Sequence, residues 1–250
     1  KDNNWYFLTH HGTGDWSGRI VSLLPVTWVQ DWPIPGEVLP QNIGTMKWDG
    51  KIPFKHTEKL SIKRSDDFDE DCLAPQWQWN YQPRKDYFSL TERPGWLRLK
   101  AYRPLETNNL LKAGNTLTQR TFRKQNNDVT IKMDISNMQD GQKNGLCHFS
   151  SQHSAIGIVK EEDACYLEYR KNGNITKGIQ IHSEFIWFRT EWGMDGKSQY
   201  YYSLDGDNFL PFGEKYQLTW GNYRGDRIGI YCFNDKKETG SVDVDYCHYR

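Results

Sequence analysis

Residues 74–99 read APQWQWNYQPRKDYFSLTERPGWLRL and gather Trp77, Trp79, Tyr81, Tyr87, Phe88 and Trp96 into one window. The window runs into an apolar/polar alternation over Trp96–Ala101, the spacing of a half-buried strand. The same alternation recurs over Val129–Ile135, Ala164–Arg170, Ile175–Ile181, Ile186–Glu191, Gln199–Ser203, Arg227–Phe233 and Ser241–Tyr249. Turn-forming triplets separate these runs, among them Asn172-Gly173-Asn174, Asp195-Gly196-Lys197 and Asp205-Gly206-Asp207. No window of a dozen residues carries a helical stripe. Short strands joined by tight turns over this distance predict an all-β sandwich.

Composition narrows the function classes. Lys plus Arg and Asp plus Glu both number 32 in 250 residues, so no excess charge marks a nucleic-acid or anionic-membrane partner. No run approaches the ~20 apolar residues of a membrane span. Apolar residues make up 36%, yet 14% are aromatic, including 11 Trp. Large rings therefore build the core and any binding surface. Sugar-binding proteins share this profile, because the C–H faces of pyranose rings stack on indole. Cys72, Cys147, Cys165, Cys232 and Cys247 form no CxxC pair, which argues against a zinc knuckle or thioredoxin-type site. Cys165, Cys232 and Cys247 sit among apolar strand residues, where small buried thiols belong.

The amino end differs from the rest. Trp5–His10 reads as a strand, His11–Gly18 as a Gly-rich loop, Arg19–Trp28 as a second strand and Asp31-Trp32-Pro33 as a stop. Two strands and a loop cannot bury a core alone, so they predict further strands upstream. Residues 34–64 carry Pro35, Gly36, Pro40, Gly44, Gly50 and Pro53 with little periodicity and read as a linker. The expected organisation is residues 1–33 from an upstream β-structure, 34–64 a linker, and 65–250 the sandwich.

The segment WYFLTHHGTGDWSGRIVSLLPVTWVQDWP, residues 5–33, resembles the last blade of the five-bladed β-propeller of glycoside hydrolase family 43. There a strand ends on a His, a loop returns through Gly-Arg, and the next strand runs to a Trp and a closing DWP or GWP. The matching residues are His10, Gly18-Arg19, Leu24–Trp28 and Asp31–Pro33, with His11 the alternative histidine. The aromatic window resembles the opening of the concanavalin A-like (jelly-roll) sandwich that follows the propeller in β-xylosidases and α-L-arabinofuranosidases. The resemblance implies an inverting hydrolase, in which one carboxylic acid protonates the leaving oxygen and an opposing carboxylate activates water. The family draws these carboxylates from earlier blades, so none is expected in this chain. Asp15, nearest the site, reads as a solvated loop residue.

The resemblance also assigns roles to individual residues. Arg19 matches an arginine that hydrogen-bonds substrate in the sugar pocket, and its fork suits sugar hydroxyls. His10 matches a histidine facing a calcium or water cluster in the propeller channel. Related xylosidases place a sandwich aromatic at the pocket rim. The corresponding loop here, Thr219–Asp226, offers Trp220 and Tyr223. Lectin-like sandwiches often hold a structural calcium between first and last strands, where Asp67, Asp69 and Asp245 supply hard oxygen donors. No organic cofactor is implied. The implied partners are a plant polysaccharide-derived oligosaccharide and the upstream propeller, in a secreted or periplasmic rather than cytoplasmic setting. The alternative is a free-standing carbohydrate-binding module, against which the orphaned strand pair argues.

Overall fold

The computed structural model describes residues 4–51, 53, 62–221 and 224–250. Among them every regular element is a strand or a single 3-10 turn. At the amino end, β1 (Trp5–Gly12), β2 (Arg19–Val29) and β3 (Trp32–Pro35) form an antiparallel sheet in that order. The expected stop at Asp31–Pro33 is therefore a hairpin turn followed by a strand. Gln30 and Asp31 both take positive φ, 49° and 62°, the geometry that lets a two-residue turn follow strand twist. Neither is a glycine, which hid the turn in the sequence. Pro33 and Pro35 are tolerated because β3 lies on the sheet edge. Two short strands, Val38–Leu39 and Ile43–Gly44, then pair within the segment read as linker.

The sandwich consists of two antiparallel sheets. One runs Leu210–Pro211, Lys197–Ser203, Phe185–Trp192, Asn127–Asp134, Ser241–Tyr249, Leu97–Lys100 and Phe88–Ser89. The other runs Asn174–Ile181, Ala164–Lys171, His153–Glu161, Gln142–Phe149, Arg227–Asn234, Thr116–Arg120 and Gln78–Trp79. Alternate residues of the first sheet (Val129, Ile131, Met133, Leu97, Leu99) meet Leu146, Ile156, Ile158, Ile228 and Ile230 of the second in one core.

Three sandwich strands of five residues or more escaped the sequence reading: Thr116–Arg120, Gln142–Phe149 and His153–Glu161. A second apolar cluster explains the last two. Leu110 and Ala113 pack with Cys147, Phe149, Ala155, Tyr231 and Phe233, covering the outer face of the second sheet. Strands buried on both faces lose the alternation that marks a half-buried strand.

The opening aromatic window lines core and corner. Trp77 stacks on Phe68 at 5.9 Å, and its indole N–H donates to Asp66 at 2.7 Å. Trp79 leans on Phe88 at 4.8 Å. Trp96 lies half-buried beneath the Arg93 guanidinium, 3.8 Å from its ring centre. All five cysteines are free. Cys147, Cys232 and Cys247 are buried, Cys165 is half-buried and Cys72 exposed. Burial pushes the Cys232 thiol up to about 12, so it stays protonated and packs as a small apolar group.

Candidate functional site

The loop between β1 and β2 fastens the amino-terminal sheet to the sandwich. Trp16, only 4% exposed, enters the sandwich core cluster. Its carbonyl accepts the Asp226 N–H at 2.7 Å. Backbone meets backbone beside it: a β-carbon on Gly18 would stand 2.6 Å from the Gly225 nitrogen. Both glycines have positive φ, so this close approach suits no other residue type. Sequence reasoning missed this anchor, although a lone Trp between Gly14 and Gly18 was its visible signal.

Asp15 is not the free solvated carboxylate expected. It accepts the Ser17 N–H at 2.9 Å and the Ser17 and Thr13 hydroxyls at 2.8 and 2.9 Å, and pairs with Arg123 of the sandwich. Partial burial raises its pKa, but these donors outweigh burial and hold it at about 2. A depressed carboxylate contributes stability above its unfolded value of 3.8 and loses it as pH falls through 2. Protection of the Thr13–Gly18 amides, taken relative to the intrinsic exchange rate at each pH, is therefore expected to fall between about pH 4 and pH 2, and Asp15→Asn to abolish that acid-dependent step. An unchanged profile in the variant would assign the acid response elsewhere.

Arg19 opens β2 and pairs in register with Gly12 at the end of β1. Its carbonyl accepts from Arg120 of the sandwich at 3.1 Å. His10 pairs with Val21, one pleat along on the same face, and is exposed. His11 lies on the opposite face, within 3.1 Å of the Ser22 hydroxyl.

The loop after Tyr216–Gln217 brings Trp220 to this same end. A β-carbon on Gly12 would lie 3.4 Å from the Trp220 ring, so the indole rests beside the Gly12–Arg19 pair. The ring keeps 36% of its surface exposed. Its backbone is held: the Trp220 carbonyl accepts from Ser151 at 2.9 Å, and the Thr219 N–H donates to Asp226 at 3.0 Å. Asp226 is wholly buried and faces His148, whose Nδ1 is 3.5 Å away. Gly221 and Gly225 close the loop base, and the Arg224 N–H donates to the Gly221 carbonyl at 3.2 Å. Tyr223 lies outside the described residues.

Two of the carboxylates proposed for calcium are paired with other side chains. Asp245 pairs with Lys132 at 2.7 Å, and Asp67 lies 2.7 Å from His248. Asp69 is exposed, beside Gly95. Among the described residues no three His, Cys, Asp or Glu are grouped to hold a metal ion. As placed, Asp67, Asp69 and Asp245 do not by themselves gather the about six to eight oxygens that calcium takes.

Residues 65–250 match the family model described as the β-xylosidase C-terminal concanavalin A-like domain of glycoside hydrolase family 43. The chain belongs to this family. It is 34% identical over 272 aligned positions to a β-xylosidase of Formosa agariphila, covering 99% of this chain and 46% of that protein. A putative β-xylosidase of Xylanibacter ruminicola is 30% identical, covering 91% of this chain and 42% of the relative. The chain thus spans about half the length of the curated relatives it matches. Among solved structures, a bifunctional GH43-CE protein of Bacteroides eggerthii superposes over the whole chain and 33% of its own, with TM-score 0.79 and 26% identity. A GH43 protein of Bacillus licheniformis shares the fold at TM-score 0.80 and 22% identity, over 100% of this chain and 51% of that one. The family 43 member described here has no helix, among its described residues, long and apolar enough to cross a membrane.

Proposed function

We propose that the chain is the C-terminal portion of an inverting family 43 exo-glycosidase that cleaves xylosides or arabinosides of plant hemicellulose. The supporting observation is the seat of the Trp220 ring against Gly12, beside Arg19: a sandwich loop reaches the one strand pair that resembles a propeller blade. That sheet also exposes Trp5, Leu8, Val21 and Trp32, each more than half, as strands do when further strands should cover them. In this reading the acid and base carboxylates come from earlier blades. The acid protonates the departing oxygen, and the base draws a proton from the attacking water on the opposite face of the sugar.

Arg19 hydrogen-bonds the sugar hydroxyls and keeps a neighbouring carboxylate ionised. Trp220, with Tyr223 the second candidate, closes the subsite next to the cleaved bond, excluding water and fixing the ring. His10 contributes a single imidazole to a channel cluster completed by other blades. An oligosaccharide substrate of plant origin favours a secreted or periplasmic enzyme over a cytoplasmic one.

The test is hydrolysis of nitrophenyl xyloside and arabinofuranoside. The chain alone is expected to hydrolyse neither. In the enzyme with its propeller, Trp220→Ala is expected to lower kcat/KM by about 10- to 100-fold, the penalty for a misplaced sugar ring. Turnover by the isolated chain, or an unaltered kcat/KM in the variant, would refute the assignment. Because Trp16 commits the blade-like strands to the sandwich, the enzyme reading outweighs that of a free-standing carbohydrate-binding module.

A further inference from the structure

Where the amino-terminal sheet meets the sandwich, a notch of about 610 Å³ opens, a size usual for small-molecule sites. Arg120, Arg224 and Arg227 converge on it, with Arg19 at the rim, and Trp79 and Tyr81 form a wall. Arg120 and Arg227 are directly opposed in neighbouring strands, an arrangement that sets like charges against each other. Arg227 is also buried, only 7% exposed. Two of its donors are spent on the Thr118 hydroxyl and carbonyl, at 2.9 and 3.3 Å, which leaves part of the fork unused.

Among the described residues, acidic side chains pair with other cations, Arg84, Arg93, Arg98, Arg123 and Arg170 among them, and none pairs with Arg120, Arg224 or Arg227. Burial, reinforced by the cations Arg224 and Arg120, lowers Arg227 to about 10. A buried cation held beside two others is costly unless an anion joins them. This chain has balanced charge overall, so the concentration of cations is local.

We infer that the notch binds an acidic sugar: the carboxylate of a hexuronic acid meets Arg120, Arg224 and Arg227, and the C–H face of its ring lies on Trp79 or Tyr81. The guanidinium fork matches the two oxygens of a carboxylate. The rings supply the apolar plane that a small inorganic anion has no use for. Tyr81 is 40% exposed, and Trp79 is held tilted against Phe88, so the wall is both accessible and braced. The site goes beyond the proposed hydrolysis and stands whichever glycosidic bond is cleaved.

Calorimetric titration of the chain with sodium glucuronate, sodium acetate and xylose at matched ionic strength tests this. Glucuronate is expected to bind at least about tenfold more tightly than either control, and to weaken as salt rises. Arg224 is exposed, so Arg224→Gln should leave the melting temperature unchanged while weakening glucuronate about tenfold. Arg227→Gln should abolish binding. Equal binding of acetate and glucuronate would reduce the notch to an unspecific anion hole. No binding by any probe would mean that carboxylates elsewhere in the enzyme, or water, satisfy the arginines. Either result overturns the proposal, and neither touches the hydrolysis test of Trp220.

Discussion

Trp16→Ala is expected to destabilise the chain by about 3–5 kcal/mol, the usual cost of removing a large ring from a close-packed site. The indole is 4% exposed and belongs to the sandwich core, although its backbone belongs to the loop between β1 and β2. Its surroundings cannot collapse to fill the space. Gly196 takes positive φ at 70°, and a β-carbon there would stand 2.4 Å from the indole nitrogen. The ring therefore sits in a slot cut by a glycine rather than in a soft cluster. The loss should be concentrated at the junction, because the Trp16 carbonyl also accepts from Asp226, the residue that holds the Trp220 loop. Hydrogen exchange checks this directly: amides of Arg19–Val29 should lose protection while those of Asn127–Asp134 keep it. Equal protection in both strands of the variant would show that Trp16 does not anchor the sheet. In an enzyme carrying the propeller, the same change should lower kcat/KM, because Arg19 lies three residues beyond the anchor.

The second large effect is expected at Asp243→Ala, at about 3 kcal/mol or somewhat more. The Asp243 side chain is 1% exposed and accepts from Arg98 Nε and Nη2 at 2.7 and 2.8 Å, a bidentate pair. It also accepts from Arg93 Nη1 at 2.9 Å, and the same nitrogen donates to Asp134 at 2.7 Å. Removing this one carboxylate leaves two guanidiniums short of a partner. Their partial exposure, 31% and 23%, lets water soften the cost, which keeps the expectation near the lower bound for buried pairs. For a chain of this size about 3 kcal/mol corresponds to a fall in Tm of roughly 6–12 °C. Chemical denaturation of the two proteins measures it. A loss below about 1 kcal/mol would reduce the network to surface ion pairs. Asp243→Asn keeps the shape and one acceptor oxygen, so it should fall between wild type and alanine.

Neither residue stood out in the sequence, for different reasons. Asp243 occupies an ordinary alternating strand, Ser241–Tyr249, and its importance comes from Arg98 opposite it across the sheet. Trp16 lies in a Gly-rich loop where a large ring has no local reason to be buried. The readable parts of the site were those set by short spacing. The Gly18-Arg19 turn, the strand pair around it and the exposed Trp220 in a glycine-flanked loop were all visible in consecutive residues. Their meeting was not, since Gly12 and Trp220 approach where the β1–β2 loop, with Trp16 at its centre, docks on the sandwich. The carboxylates offered for calcium illustrate the reverse case. Asp69 and Asp245 share a suitable chemistry in the sequence, yet Lys132 had already taken Asp245.

The arginine notch shows the same division. Arg120, Arg224 and Arg227 are scattered cations in a chain of zero net charge, and no local pattern singles them out. Pairing of Thr116–Arg120 with Arg227–Asn234 sets two of them face to face, and the edge strand Gln78–Trp79 supplies the aromatic wall. The aromatic window 74–99 thus contributes Trp77 to the core, Trp79 partly buried between core and notch, and Tyr81 to the surface.

Amino-acid order alone determined the all-β character, the positions of most of the longer strands and the glycine-marked turns, because alternation and turn chemistry act over a few residues. Strands covered on both faces, the anchoring of the amino-terminal sheet and the convergence of charges were decided by tertiary structure. Each depends on which strands become neighbours across a hundred or more residues, and burial, not local preference, selects those partners.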